Sequence, residues 1–355
     1  MQVLTGCLKS LESKHVARRF VRAARVMGVL SCVAFAGQIQ AASYLLQPPS
    51  QQVVFPAGSN GGVSLVSNGY LLTYLRDSGA HGVNPLRLVP LRDGKQQTVQ
   101  LSLAQKDVYI EDASVAPNGH VLVAGWYVRS SDGTQKNFFA SLDPAGKDSY
   151  MIDAGRYTPE RICGSADGSI WTFGQDNAAE LSDPVQNYAM LRKFSVTGSP
   201  QGEFLDRSLL PNEIHVNLHQ AGRVTSGFLS CGDTSVGAYV GLQGTGVGYW
   251  AEIERSGTAV QLSRVAIISN FKISGLSLLG PNTVYASFTG LGGSERRLYT
   301  LSINGNGMAS WTPVSLPATS SAGFLRVLGR DGSSLVYLGA QAQAQQRVMY
   351  WSALQ

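Results

Sequence analysis

The stretch that decides the fold is residues 113–146, ASVAPNGHVLVAGWYVRSSDGTQKNFFASLDPAG. It holds three short apolar runs, separated by a tight Asn118-Gly119 turn and a longer polar loop at 128–137, and it ends in a second turn at Gly146. Asn and Gly adopt the positive φ angles of tight turns at low cost. The stretch therefore predicts strand, tight turn, strand, longer loop, strand, tight turn, and then a fourth strand.

The same unit recurs along the chain with a nearly constant period. The first turns are spaced by 50, 49, 65, 49 and 50 residues and fall at Gly69, Gly119, Gly168, Asp233, Asn282 and Gly332. The second turns are spaced by 52, 52, 59 and 48 residues and fall at Gly94, Gly146, Gly198, Gly257 and Gly305. Two independent markers with one period indicate a repeat protein.

Four-stranded units of about 45–50 residues are typical of β-propeller blades. The predicted fourth strands lie at 97–103, 148–154, 259–264 and 310–315, and the fourth strand of the third unit is not evident. No run of helical apolar spacing follows residue 42. The six first turns predict an all-β, six-bladed β-propeller with four-stranded blades.

The last unit needs a strand from the other end of the chain. Only three strands fit before Gln355, whereas Gln51–Phe55 is a spare strand upstream of Gly69. An unpaired strand edge would leave a row of backbone groups exposed. We therefore predict that residues 51–55 pair with 347–354, so that the N-terminal strand completes the last blade.

Residues 1–42 differ in character from the rest. Six basic residues precede the apolar run Val26–Ala36, which small residues follow. This pattern predicts a signal peptide, cleaved after Ala36, Ala41 or Ala42, and export of one propeller domain, 43–355, to the periplasm or the extracellular space. The apolar run is shorter than the roughly 20 residues of a transmembrane helix.

The basic charge of the chain belongs to that leader. The whole chain has 28 Lys+Arg and 23 Asp+Glu, of which the leader holds six and one, so 22 of each remain. Nucleic acids and anionic membranes need a clustered positive field, which this balance does not predict. We expect a monomer with neither partner and no transmembrane segment after cleavage.

The P-N-G, A-D-G and R-D-G turns at Gly119, Gly168 and Gly332 resemble those of β-propellers with NHL-type and gluconolactonase-like repeats, and the resemblance extends over 51–355. It implies a fold rather than an activity. A gluconolactonase-like enzyme would hold a divalent cation such as Ca²⁺ in its central channel, with oxygen ligands from the innermost strands. The metal-ligand candidates at the starts of first strands are Asn60, Glu111, Asp112, Glu160 and Asn270. The family's E-G-P motif near the first blade is absent.

The 65-residue spacing indicates an insertion within 200–226, between the third and fourth units. It carries the ligand-binding candidates Glu213, His215, His219 and Arg223. His-x-x-x-His beside a carboxylate could ligate a metal from a helix. Ile214, Val216 and Leu218 alternate with polar residues, however, which indicates a strand that would hold the histidines roughly 13 Å apart. The alternative is a polar surface segment or a displaced fourth strand of the third unit.

Cys163 and Cys231 are the two cysteines outside the leader. Each lies late in a first strand, in the third and the fourth unit respectively, and each is followed by glycine. Since export favours oxidation, we predict a disulfide between them. The alternative is a pair of small buried thiols.

The tight turns lie on one face of the predicted propeller and the longer loops on the other, where function usually concentrates. We predict a scaffold that binds a protein or small molecule on the long-loop face. The alternative is a metal-dependent hydrolase or lactonase that uses the central channel. No G-x-S-x-G, phosphate-loop, H-E-x-x-H or C-x-x-C motif supports nucleophilic or nucleotide chemistry.

Overall fold

A computed structural model describes most of the chain after residue 45. The described ranges are 46–47, 49–55, 62–76, 83–92, 94–102, 106–129, 131–176, 189–206, 209, 224–242, 246–304, 306–316, 323–341 and 346–353. Within these ranges the regular elements are strands, and no helix is long and apolar enough to cross a membrane. The predicted signal peptide, 1–42, lies outside the described residues, as do the insertion candidates Glu213, His215, His219 and Arg223.

The strands fall into antiparallel sets, which we call A to F. Set A contains β2 (Val63–Ser67), β3 (Tyr70–Tyr74), β4 (Val83–Pro90) and β5 (Gln97–Ser102). Set B contains β6 (Lys106–Val115), β7 (Val121–Val128), β8 (Gln135–Leu142) and β9 (Tyr150–Gly155). Set C contains β10 (Tyr157–Gly164), β11 (Ile170–Asp176), β12 (Leu191–Phe194) and β13 (Pro200–Phe204).

The remaining sets follow the same order. Set D contains β14 (Val224–Cys231), β15 (Ser235–Leu242), β16 (Val247–Glu254) and β17 (Val260–Ala266). Set E contains β18 (Phe271–Gly280), β19 (Thr283–Gly290), β20 (Arg296–Ile303) and β21 (Met308–Pro313). Set F contains β22 (Gly323–Asp331), β23 (Ser334–Gln341), β24 (Gln346–Ser352) and the N-terminal β1 (Gln51–Val54).

Parallel bridges join some sets into wider sheets. Sets B and C are separate four-stranded sheets, whereas F and A form one eight-stranded sheet, as do D and E. The pair Val66–Gly329 bridges β2 and β22, and β17 meets β21 through Arg264–Met308 and its neighbouring pair. The four predicted fourth strands are confirmed as β5, β9, β17 and β21. The fourth strand of set C, which the sequence did not locate, is β13, paired with β12.

The predicted pairing of the two chain ends is confirmed. Strand β1 lies antiparallel to β24, with the register running from Gln51–Trp351 to Val54–Val348. The backbone N–H of Phe55 donates to the carbonyl of Arg347 at 2.7 Å, which extends the ladder by one further bond. The last antiparallel set is therefore completed from the N-terminal side.

The first strands of the sets contact one another in a cycle. Strand β2 contacts β6, and the contacts continue through β10, β14, β18 and β22, which contacts β2 again. Hydrophobic clusters fill every interface between successive sets, from A and B to F and A. Successive four-stranded antiparallel sheets around a shared axis are the arrangement of a β-propeller.

The turn chemistry explains why the strands reverse where they do. Asn68 and Gly69 have φ angles of 49° and 80° between β2 and β3. Positive φ at both central residues defines the type I′ turn, whose twist matches that of the flanking strands. The Asn-Gly dipeptide therefore fixes this hairpin, as the sequence predicts.

Candidate functional site: the central cavity

The first strands enclose a cavity of about 530 Å³, a volume typical of small-molecule sites. All six of β2, β6, β10, β14, β18 and β22 contribute to its wall. Its charged lining residues are mostly cationic, namely Arg76, Arg161, Lys272, Arg326 and Arg330. Asp112 is the one acidic residue among the described residues that line it. The wall therefore carries an excess of positive charge.

Bulges in the first strands bring the charged side chains into this wall. The ladder of β6 shifts register between Ile110 and Asp112, and that of β10 shifts between Pro159 and Arg161. A bulge adds one residue and re-aims the side chains that follow it. Asp112 and Arg161, which follow the bulges, both line the cavity.

The two bulged glutamates hydrogen-bond within their own sheets. Trp126 Nε1 donates to Glu111 Oε1 at 3.3 Å, and Gln175 Nε2 donates to Glu160 Oε1 at 2.6 Å. Burial raises the pKa of Glu160, and the positive charge of Arg161 opposes this shift. Neither glutamate belongs to the cavity lining.

Asp112 is the centre of a hydrogen-bond network that joins sets A, B and C. Its Oδ1 accepts from the Tyr74 hydroxyl at 3.2 Å, and its Oδ2 accepts from the backbone N–H of Ile162 at 3.0 Å. Burial raises the pKa of Asp112, and the charge of Arg161 opposes the shift. Burial and the nearby carboxylate raise the pKa of Tyr74 well above its ordinary value, so its phenol stays a neutral donor.

Arg161 is fixed between sets C and D. Its Nε donates to the carbonyl of Gly227 at 2.6 Å, and its Nη1 donates to the carbonyl of Glu160 at 2.5 Å. Its guanidinium carbon lies 5.8 Å from the centre of the Phe228 ring. Because its orientation is held by backbone carbonyls, Arg161 presents a rigid positive charge beside Asp112.

The other cavity cations differ in their partners. Arg330 forms an ion pair with Asp233 at 2.7 Å. For Arg76, Lys272 and Arg326, the described residues provide no carboxylate within ion-pair distance. The cavity thus contains three cationic side chains whose charge this part of the chain does not neutralise.

The predicted metal ligands are only partly brought together: burial raises the pKa of Glu160, and the negative charge of Glu111 contributes to that rise. Asp112 lines the cavity, whereas Asn270 is exposed in the turn before β18, where its φ is 65° and its carbonyl accepts from Leu291 N at 2.9 Å. Asn60 lies outside the described residues. In the described ranges, no group of three or more His, Cys, Asp or Glu side chains has the placement of a metal site. The metal-dependent hydrolase or lactonase stays a prediction.

The predicted disulfide between Cys163 and Cys231 is confirmed. The two Cα atoms are 5.8 Å apart, which is within the range that a disulfide spans. The bridge joins β10 to β14, and both cysteines belong to the cavity wall. It therefore fixes sets C and D to each other directly beside the candidate site.

The sequence did not group the cationic side chains of the cavity. A regular spacing in the sequence identifies two residues of the cavity wall. Asp112 stands seven residues before the first-turn glycine Gly119, and Arg161 stands seven residues before the first-turn glycine Gly168. Aligning the repeats on that glycine places both residues at one level of neighbouring first strands. The same spacing does not identify Arg326, because it stands six rather than seven residues before Gly332.

Comparison with known proteins does not assign the chain to a family. No protein-family profile and no curated protein sequence matches the chain, so the NHL-type and gluconolactonase-like resemblance stays a prediction.

Solved structures with a similar fold include three proteins of different kinds. The β-propeller domain of the trilobed protease from Pyrococcus furiosus is 10% identical, with 87% of this chain and 93% of that chain covered and a TM-score of 0.40. An aldose sugar dehydrogenase from Streptomyces coelicolor, bound to PQQ, is 14% identical, with 87% and 100% covered and a TM-score of 0.41. The α-L-arabinofuranosidase Arb93A from Fusarium graminearum is 12% identical, with 87% and 96% covered and a TM-score of 0.43.

The variant Asp112→Asn tests the buried carboxyl. Because burial raises its folded-state pKa above the ordinary 3.8, the folded protein binds this proton more tightly than the unfolded chain does. Stability from this group is then fully present below about pH 4 and is lost as pH rises through the folded pKa. The Asp112→Asn variant does not lose stability in this way, because its side chain does not titrate. We expect its unfolding free energy relative to wild type to increase between pH 4 and pH 7 in urea titrations.

Asp132→Asn is the control for this experiment. Hydrogen bonds from Thr134 lower the pKa of the exposed Asp132, so wild type should gain stability relative to this variant as pH rises. Equal shifts in the two variants, or none for Asp112→Asn, would contradict the assignment of Asp112.

Proposed function

We propose that the chain is an exported, six-bladed β-propeller that binds a small, negatively charged molecule in its central cavity. Each of sets A to F corresponds to one blade, and the cyclic contacts of the first strands support this count. Export is supported by the leader pattern of residues 1–42 and by the disulfide, because disulfides persist in oxidising compartments.

The observation that carries the proposal is that Arg76, Lys272 and Arg326 line the cavity with no carboxylate of the described residues within ion-pair distance. Arg76 and Lys272 are exposed to solvent and Arg326 is partly buried, so their positive charges can attract a dissolved anion to the cavity. Arg76 follows β3 and Lys272 is the second residue of β18, so both lie at the end of the cavity where the longer loops connect the strands. A ligand carboxylate entering from that end would neutralise them.

Neutral polar groups complete the wall. Ser64, Ser114, Ser230 and Ser277 line the cavity between the charged residues. A hydroxyl both donates and accepts hydrogen bonds, so these serines suit the polar groups of a small organic acid. The proposed ligand class is therefore a polar carboxylic acid that fits within about 530 Å³.

The insertion remains a proposed contributor to this site. The segment carrying Glu213, His215, His219 and Arg223 connects the end of β13 with the start of β14. In a set of four antiparallel strands the fourth strand ends where the next first strand begins, which supports a position for this connection near the other long loops. These residues are candidates for contacts with the ligand or with a protein partner.

A thermal-shift experiment with paired probes tests the proposal. Glucuronate is compared with glucose, and benzoate with benzamide, so that each acid has an uncharged counterpart of similar shape. At 100 times its dissociation constant, a ligand stabilises the folded state by about 2.7 kcal/mol, which raises the melting temperature by several degrees. We expect at least one acid, and neither neutral counterpart, to do so.

The variants Arg76→Gln and Lys272→Gln locate the binding site. Each removes one unneutralised charge of the cavity and should weaken the shift, whereas Arg92→Gln removes an exposed charge from the turn after β4 and should not. An absence of any shift with both acids, or a shift that survives in both cavity variants, would reject an acid site in the channel.

A further inference from the structure

A second cavity, of about 470 Å³, lies between sets E and F. Three arginines line it, Arg296, Arg326 and Arg347, together with Thr289 and an apolar wall that includes Leu338. It shares only Arg326 and Ser274 with the lining of the central cavity. The second cavity is therefore a neighbouring site that shares Arg326 with the central cavity and adds Arg296 and Arg347.

The sheet ladders fix the backbone positions of the three arginines. Arg296 begins β20 and pairs with Thr289 of β19, and Arg347 of β24 pairs with Ala340 of β23. Arg326 follows a register shift in β22, after Phe324. Three strands of two sets thus place the three arginines around one cavity, where Arg296 and Arg347 are exposed to solvent.

The cluster carries a charge that the described residues do not balance. None of its three arginines has a carboxylate within ion-pair distance in the described part of the chain. Burial lowers the pKa of Arg326, and the positive charges of Arg347 and Arg296 lower it further. Like charges held together repel, so the arrangement has a cost that an anion would remove.

The chemistry of the cluster indicates which anion fits. Guanidinium groups present planar pairs of N–H donors that match the oxygens of phosphate or sulfate. A tetrahedral oxyanion can accept from several arginines at once, and a phosphate monoester carries close to two negative charges at neutral pH. A single carboxylate has only two oxygens, so it offers fewer acceptors to Arg296, Arg326 and Arg347 than a phosphate or sulfate group does.

We propose that the cavity between sets E and F binds the phosphate or sulfate group of a small monoester. Arg296, Arg326 and Arg347 hold the oxyanion, and the Thr289 hydroxyl is an additional donor. The organic part of the ester lies against the side chains of Leu325 and Leu338. The two proposed sites share Arg326, but Arg296 and Arg347 line only this cavity, and Arg76 and Lys272 line only the central one.

Isothermal titration calorimetry of the mature protein, beginning at residue 43, tests the proposal. The probes are inorganic phosphate, inorganic sulfate, phenyl phosphate and phenyl sulfate, at constant ionic strength in chloride. We expect saturable binding of one ion per chain, and tighter binding of the phenyl ester because of the apolar wall. Whichever of the phosphate and sulfate series binds more tightly identifies the ester class.

Substitutions of two residues that line only this cavity, Arg296 and Arg347, test whether the anion binds there. A hydrogen bond to a charged group contributes about 1.5–3 kcal/mol, so Arg296→Gln and Arg347→Gln should each weaken binding about 10–100-fold. Arg92→Gln, which removes an exposed arginine elsewhere, should leave binding unchanged. No saturable binding by any probe, or equal binding in all variants, would overturn the proposal.

Urea unfolding without added anion tests whether Arg296 and Arg347 stabilise the fold rather than bind an anion. Because each substitution removes a repulsive charge, Arg296→Gln and Arg347→Gln should be at least as stable as wild type in urea. A clear loss of stability in both would mean that the arginines hold the fold together, which overturns the proposal.

The central-cavity variants separate this site from the proposed function. Arg76→Gln and Lys272→Gln should leave phosphate binding intact, since neither residue lines the second cavity. If these variants abolish phosphate binding while Arg296→Gln and Arg347→Gln retain it, the anion binds in the central cavity. That result would overturn the second site and leave the proposed function standing.

Discussion

Replacing Phe55 with alanine should destabilise the fold by about 3–5 kcal/mol, the usual cost of removing a buried aromatic side chain. Phe55 follows β1 directly and is only 6% exposed, packed in the cluster between sets F and A with Val66, Leu71 and Leu328. Its neighbour Val54 is 56% exposed. Val54→Ala is therefore the matched control, and we expect it to change the unfolding free energy little in urea titrations.

Deleting residues 46–55 should have a larger effect than Phe55→Ala. Leu46, which is fully buried, packs in the cluster between sets E and F, so the N-terminal segment anchors both interfaces of set F. The deletion also removes the ladder between β1 and β24. Domains are typically stable by about 5–15 kcal/mol in total, and the combined losses approach that range.

Urea unfolding, followed by tryptophan fluorescence, measures both changes. Trp351 pairs with Gln51 and is buried in the same cluster as Phe55, so its emission reports directly on this region. If the deletion variant unfolds at the wild-type urea concentration, the N-terminal strand does not contribute to closing the fold. Equal effects of Phe55→Ala and Val54→Ala would lead to the same conclusion.

The sequence predicted those parts of the fold that depend on local chemistry. The Asn68-Gly69 turn requires two positive φ angles, and few residue pairs other than Asn-Gly provide them at low cost. Tight turns that contain Gly, Asn or Asp recur with nearly one period, so the amino-acid sequence alone reveals the strand pairing within each set. The pairing of β1 with β24 followed from the same spacing, because the repeat leaves one strand missing at one end and one extra at the other.

The candidate sites could not be predicted in the same way, because their residues meet across sets. Arg296, Arg326 and Arg347 come from different strands of two sets, and no local pattern links them. Register shifts decide which side chain of a first strand faces the cavity, as they do for Asp112. Asn270 is a separate case, because it stands before β18 rather than within it and is exposed. A bulge changes which face of the sheet a side chain points to. It leaves the alternation of polar and apolar residues, from which a strand is predicted, largely unchanged.

Loss of the Cys163–Cys231 disulfide should be the other large effect on stability. The cysteines are separated by 68 residues, and closing a loop of that size stabilises the folded state by roughly 4 kcal/mol in the chain-entropy estimate. Cys163 is buried in the cluster between sets C and D, so the bridge also maintains the packing there. We expect the double variant Cys163→Ala, Cys231→Ala to unfold at clearly lower urea concentration than wild type.

Reductant gives the matched control for this prediction. A protein that begins at residue 43 contains no other cysteine, so a reducing agent should lower the urea midpoint of wild type and leave that of the double variant unchanged. Because both cysteines line the central cavity, the double variant should also lose part of the thermal shift produced by a bound acid. Two thiols that react with iodoacetamide in the unfolded, unreduced wild-type protein would show instead that the bridge is absent in solution.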